Sequence, residues 1–201
     1  MAWAPTYAST PELAAYLRIT DTDDDLELGV ALEAASRAID HETSRQFGKT
    51  DSVEERTFEV DRWSRLHGRY VVKIDDIMTA TGLVVTVDGS AVAASDYSLL
   101  PTNAAAEGRP WTSMHLDAVT SPTKGTGPGT VAIDATYGWT SVPVAIKQAC
   151  LLQASRLFNR RHAPFGVAGS PDIGSELRLL AMVDPDVAVI LKKYRRDWPR
   201  L

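Results

Sequence analysis

The side chains with the most chemical potential in this sequence are carboxylates. Asp21, Asp23, Asp24 and Asp25 crowd together, and Asp75 and Asp76 are adjacent further along. Clustered carboxylates can hold a divalent cation, and such a cation can activate water for phosphodiester cleavage. A metal-dependent nuclease using Asp21, Asp23 and Asp25 is therefore the first alternative to weigh. The spacing speaks against it. A calcium loop needs a glycine at its sharp turn and a closing glutamate, and Asp21-Thr22-Asp23-Asp24-Asp25 has neither at the right offset. Carboxylates just ahead of an apolar-periodic run have a plainer use: they cap a helix and complement its dipole.

Other catalytic motifs fail on similar grounds. Gly125-Thr126-Gly127-Pro128-Gly129 is glycine-rich, but a phosphate-cradling loop opens a helix. Here a β-favouring run follows, and Lys124 precedes the glycines. Cys150 lies in an apolar helical run, whereas a nucleophilic thiol needs exposure and a neighbouring base. His41, His67, His115 and His162 lack metal-ligand spacing, and there is no Gly-x-Ser-x-Gly elbow. No catalytic residue, cofactor site or metal site is expected, so the chain reads as a non-enzyme.

The elements around these residues change character along the chain. Thr10-Pro11-Glu12 opens a short amphipathic helix through Leu13, Tyr16 and Leu17, with Thr10 as N-cap. Thr22 and Asp25 approximate a capping box ahead of a long helix, Leu26 to Arg45. Leu28, Ala31, Leu32, Ala35, Ala38 and Ile39 share one side of that helix, and Gly48 is expected to end it in a left-handed conformation. From Arg56 to Gly138 short β-favouring runs alternate with turns. They are Thr57–Val60, Arg69–Ile74, Leu83–Val87, Tyr97–Leu100, Trp111–Leu116 and Val131–Tyr137, with Asp88-Gly89 as a two-residue hairpin turn. Strands at this spacing with no helix between them predict an antiparallel sheet, folded as a small sandwich or barrel. Pro143 then opens a helix to Arg161. Ala163–Ser175 reads as a loop and Glu176–Met182 as a short helix. Asp184-Pro185 starts a last helix with the apolar stripe Val187, Ile190, Leu191 and Tyr194. The fold class is thus α+β: a discontinuous helical domain of three to five helices, residues 1–48 and 143–201, interrupted by a β insertion, 49–142.

Composition excludes several classes. The 201 residues are 44% hydrophobic and 23% charged, ordinary for a globular chain able to bury a core without staples. A single cysteine excludes an intrachain disulfide. No apolar run approaches the roughly 18 residues that span a bilayer. Met1–Ser9 lacks the basic and apolar regions of a signal peptide. The net charge of −5 is unevenly spread. Residues 143–201 hold ten basic and five acidic side chains, net +5, leaving −10 for the first 142. An acidic body with a basic tail suits a part with two different faces.

Two stretches carry a family resemblance. One is Thr10-Pro11-Glu12-Leu13 and Ala15–Ile19, followed by the acidic run and the alanine-rich helix ending Ser44-Arg45-Gln46-Phe47-Gly48. The other is Ala135-Thr136-Tyr137-Gly138-Trp139 running into Val142–Ala149 and ending Leu157-Phe158-Asn159-Arg160-Arg161. Together they resemble the head-tail connector (adaptor, head completion) proteins of tailed bacteriophages, the gp6-like group. Compact members join the two helical parts with a short segment. The strand-rich segment here is similar to the insertion in longer connectors.

The resemblance implies a structural virion protein at the head-tail interface, assembled in the host cytoplasm. Copies form a ring, twelvefold, beneath the portal protein, with a further connector or tail-completion protein below. The ring extends the channel through which packaged DNA passes without sequence-specific binding, and no membrane is involved. Leu28, Leu32, Ala35, Ile39, Ile146 and Leu157 are the candidate ring-packing residues. Asp184, Lys192, Lys193, Tyr194, Arg195 and Arg196 are the candidate contacts to portal or neighbour. The loop Ala163–Ser175 and the tip Ser121–Gly129 are candidates to order on assembly. A stopper or minor tail component is a further alternative.

Overall fold

A computed structural model describes residues 4–117, 130–160 and 184–196, together with the backbone of 167–168 and 177–178. The chain divides into two compact units, Met1–Phe47 with Val142–Leu201, and Gly48–Ser141.

In the first unit, helix α1 spans Thr10–Leu17. Its N-cap is Ser9, one residue before the expected Thr10. Glu12 explains the shift: its carboxylate accepts a hydrogen bond from the Ser9 N–H at 2.9 Å, the return arm of a capping box. Helix α2 spans Asp25–Thr43 and its N-cap is Asp24, not Thr22. Asp21 accepts from the Asp23 N–H at 3.3 Å, a turn that leads the chain into the cap. The left-handed residue that ends α2 is Ser44, φ 52°, whose N–H reaches the Asp40 carbonyl. Gly48, expected in that role, lies four residues beyond and begins the second unit.

Helix α3 spans Val144–Asn159 after Pro143. Helix α4 spans Pro185–Lys192, capped as the sequence predicts: the Asp184 carboxylate accepts from the Asp186 N–H at 2.9 Å. The core of this unit joins Leu13 of α1, Leu28, Ala31, Leu32, Ala35 and Ile39 of α2, Ile146, Ala149, Cys150 and Ala154 of α3, and Val187 and Leu191 of α4. Small residues let α2 and α3 approach closely: Ser36 Oγ lies 3.5 Å from Cys150 Sγ.

In the second unit, strand β1 spans Glu54–Ser64, β2 Arg69–Ile77, β3 Val84–Val87, β4 Ser90–Ala91, β5 Tyr97–Leu100, β6 Trp111–Asp117 and β7 Thr130–Ala135. All pairings are antiparallel, and the order is β4-β3-β7-β1-β2-β6-β5. Asp88 and Gly89 both have positive φ, 49° and 78°, the two-residue turn expected between β3 and β4. The expected sandwich or closed barrel is replaced by one curled seven-stranded sheet, open between β4 and β5.

The reason lies in β1. Its first half pairs β7 and its second half pairs β2, with a register shift between Val60 and Arg62. One long, bent strand therefore keeps the sheet continuous, as bulges do where a sheet curls. The curl encloses Val72, Ile74, Ile77, Val85, Met114, Leu116, Val131 and Ile133 as its own core.

Two further strands, β8 Val167–Ala168 and β9 Leu177–Arg178, pair antiparallel. They fall where an unbroken loop and a short helix are expected. A run as short as Glu176–Met182 does not let periodicity separate helix from strand. The tip Ser121–Gly129 and the rest of Ala163–Ser175 lie outside the described residues.

Candidate assembly surfaces

Several of the clustered carboxylates have structural partners. Asp24 stands at the N-cap position of α2 without a side-chain capping hydrogen bond, and the Asp21 carboxylate accepts from the Asp23 N–H in the turn before it. In the sheet unit Asp75 pairs with Arg56 at 2.9 Å. Asp76 is buried and accepts from the Trp139 indole N–H at 3.0 Å. Arg56 also lies over the Tyr137 ring, 4.1 Å from its centroid. His67 and His115 approach with ring centroids 5.7 Å apart. Among the described residues no group of three or more His, Cys, Asp or Glu is placed to hold a metal ion. Burial holds the Cys150 thiol above its ordinary pKa, which keeps it protonated and poorly nucleophilic.

What remains chemically distinctive is surface. Of the six candidate ring-packing residues, Leu28, Leu32, Ala35, Ile39 and Ile146 are buried inside the helical unit. Their contact area is already used within one subunit. The same helix carries a second apolar stripe. Leu26 and Val30 are 78% and 61% exposed, and Ala34 follows one turn on. Across from them stands Leu157 of α3, half-buried. Together with Glu27, Ala31 and Phe158 they line an open groove of about 310 Å³. Leu26 and Val30 stand beside the stronger, buried stripe of the same helix. Their spacing of four, continued by Ala34, is the signal that identifies them.

The candidate contact residues of the tail divide in two. Asp184 caps α4, meets Arg156 at 3.4 Å, and its N–H reaches Gln153. Tyr194 packs edge-on against Phe47, ring centroids 5.7 Å apart. Arg195 pairs with Glu42, and the Arg196 N–H donates to the Thr43 carbonyl at 2.9 Å. These four dock the tail on its own subunit. Lys192 and Lys193 are exposed, and so is Val189, at 76%. Hydrophobic contact through Val187 and Leu191 holds the opposite side of α4 inward.

A second anchor fixes the start of the chain against α2. The Tyr7 N–H donates to Ser36 Oγ at 3.2 Å, and its hydroxyl meets Asp40 and accepts from the Phe47 N–H. Arg37 pairs with Asp40 at 3.2 Å. Burial raises the Asp40 pKa against the pull of Tyr7 and Arg37, and burial likewise raises that of Tyr7. This network places α1 and positions the far end of α2 for α4.

No protein-family model matches the chain, and no curated protein matches it. Among solved structures, 96% of the chain is similar to 93% of a chain from the virion of a native gene transfer agent (GTA) particle, with TM-score 0.55 and 25% identity. All of the chain (100%) is similar to 96% of a chain from the neck of an empty GTA particle computed with C6 symmetry, with TM-score 0.54 and 22% identity. Both likenesses run through the helical and the sheet segments. The chain thus shares its α+β fold with components of a phage-like particle.

Proposed function

We propose that this protein is a structural, non-enzymatic component of the neck of a tailed phage or phage-like particle. The observation that carries this reading is the full-length likeness to a chain of a GTA neck. The connector signatures in both helical segments support it independently of the fold. In this reading copies close into a ring beneath the portal, extend the DNA channel, retain packaged DNA and offer a seat to the next component. A ring needs two different complementary faces on each subunit, and the right rotation between them to close. The groove on α2 and α3 and the outer face of α4 supply two such faces. Twelve copies, the number the sequence resemblance implies, are compatible with the sixfold symmetry of that neck.

The test is genetic and structural. Particles made without this chain should package DNA and then lose it, or fail to join tails. Purified particles should contain it at the head-tail junction. Full, stable, tailed particles without it would overturn the proposal.

A further inference from the structure

We propose that the outer face of α4, built on Val189, Lys192 and Lys193, seats in the α2–α3 groove of the next copy. The inference rests on the ring reading and names the surfaces that would make the ring.

Three observations converge on it. The first is the chemistry of the groove. Leu26, Val30, Leu157 and Phe158 give it an apolar floor, and the exposed acidic residues Asp25, Glu27 and Glu33 share the outer side of α2 with it. The second is the matching face. Val189 is an exposed aliphatic side chain in the middle of α4, and Lys192 and Lys193 flank it one turn on. Asp186 lies one turn earlier, so the excess of positive charge is at the C-terminal end of α4. An apolar centre with acidic flanks thus faces an apolar centre with basic ones. Such complementarity fixes orientation and rejects like-charged pairings.

The third observation is that the packing of one subunit leaves both patches exposed. Its own α4 is held inward by Val187 and Leu191, which leaves Val189 pointing away. The chain after α4 is tied to Thr43. Thr43 is thirteen residues from Val30 along α2, about 20 Å at 1.5 Å per residue. Two different patches at separate places on one subunit make a head-to-tail contact, the kind that closes into rings.

Disulfide trapping tests this on the full chain. Val30 and Val189 are exposed, so Val30→Cys and Val189→Cys should leave thermal melting unchanged. Cys150 is buried and will not compete. Under mild oxidation the double variant should give a ladder of covalent multimers, and neither single variant should. Adding Lys192→Glu and Lys193→Glu should lower the yield roughly tenfold or more. Further adding Glu27→Lys and Glu33→Lys should restore it.

Four results would overturn the proposal. One is a strong covalent dimer from Val30→Cys alone, which would mean groove-to-groove pairing. Another is a link within one chain, which would mean that the chain's own residues cover the groove. The third is a ladder indifferent to charge reversal, and the last is no intersubunit bond in free protein or in particles. If any of these occurs while the chain is still found in particle necks, this interface fails and the neck reading stands.

Discussion

The helical and sheet units leave different kinds of apolar surface uncovered. In the helical unit the exposed aliphatics Val30 and Val189 sit mid-helix, and Leu26 and Val144 lie in first turns. They stand on regular faces that another subunit can lie against. In the sheet unit the exposed apolar residues lie at or near margins, Trp63 at the end of β1 among them. Leu66 is in the β1–β2 turn, Val53 precedes β1 and Val84 begins β3. The inner face of its strands closes on itself through the curl. The contrast teaches that a finished core and an unfinished surface can coexist in one chain, and that the unfinished part is the better guide to partners.

The largest expected effects should be alike in the two units, because both cores are closed. Ile133→Ala in the sheet and Leu32→Ala in α2 should each cost about 2–5 kcal/mol in denaturant unfolding. A cost below about 1 kcal/mol in either would break the claim of equal closure. Next comes the buried polar contact of the sheet. Asp76→Ala strands the Trp139 indole N–H and should cost about 1–3 kcal/mol, whereas Asp76→Asn keeps an acceptor and should cost less. The helical counterpart is a cap: Asp184→Ala should cost about 1 kcal/mol and raise hydrogen exchange in α4 first.

Surface changes separate the units most sharply at the smallest cost in stability. Val30→Asp and Leu66→Asp should each change stability by no more than about 0.5 kcal/mol. Val30→Asp should abolish self-association in sedimentation, and Leu66→Asp should not. Equal effects would erase the distinction between helix faces and sheet margins.

Acid should reach the two units in different windows. Burial, then His67, Arg69 and Arg62, lowers the His115 pKa below 6.5. The unfolded chain then binds that proton more readily than the fold, so the sheet loses stability as pH falls through and below about 6.5. In the helical unit the hydrogen bond from Lys147, then the one from the Ser9 N–H, lowers the Glu12 pKa to about 2. That stabilisation is present above the ordinary 4.5 and is lost as pH falls from there toward 2. Glu12 is fully exposed, so its effect should be slight. Melting curves across pH for His115→Asn and Glu12→Gln should each flatten only their own window.

Much of this architecture is legible in the residues. Alternation located six of the seven strands of the sheet, and Asp88-Gly89 located their tightest turn. Two-residue β4 is too short to show a pattern. The N-caps lie one or two residues from the expected ones because Ser9 stands next to Thr10 and Asp24 close to Thr22, all residue types that favour this position. The open, curled sheet was not legible. It depends on the register shift in β1, where only Thr57–Val60 shows an apolar alternation.

The site was half legible. Buried Leu32 belongs to the apolar stripe that periodicity shows, whereas the exposure of Val30 on a second stripe is visible only in the fold. Lys192 and Lys193 were visible as charges. Their separation from Arg195 and Arg196, which dock at home, required the fold.

The central claim is that this chain forms a ring in a particle neck. A cryo-EM map of the head-tail junction of a particle carrying it tests that most directly. The account predicts a cyclic ring of copies at the junction, with α4 of each copy against α2 and α3 of the next. Its absence from the junction, or its presence there without cyclic symmetry, would contradict the account.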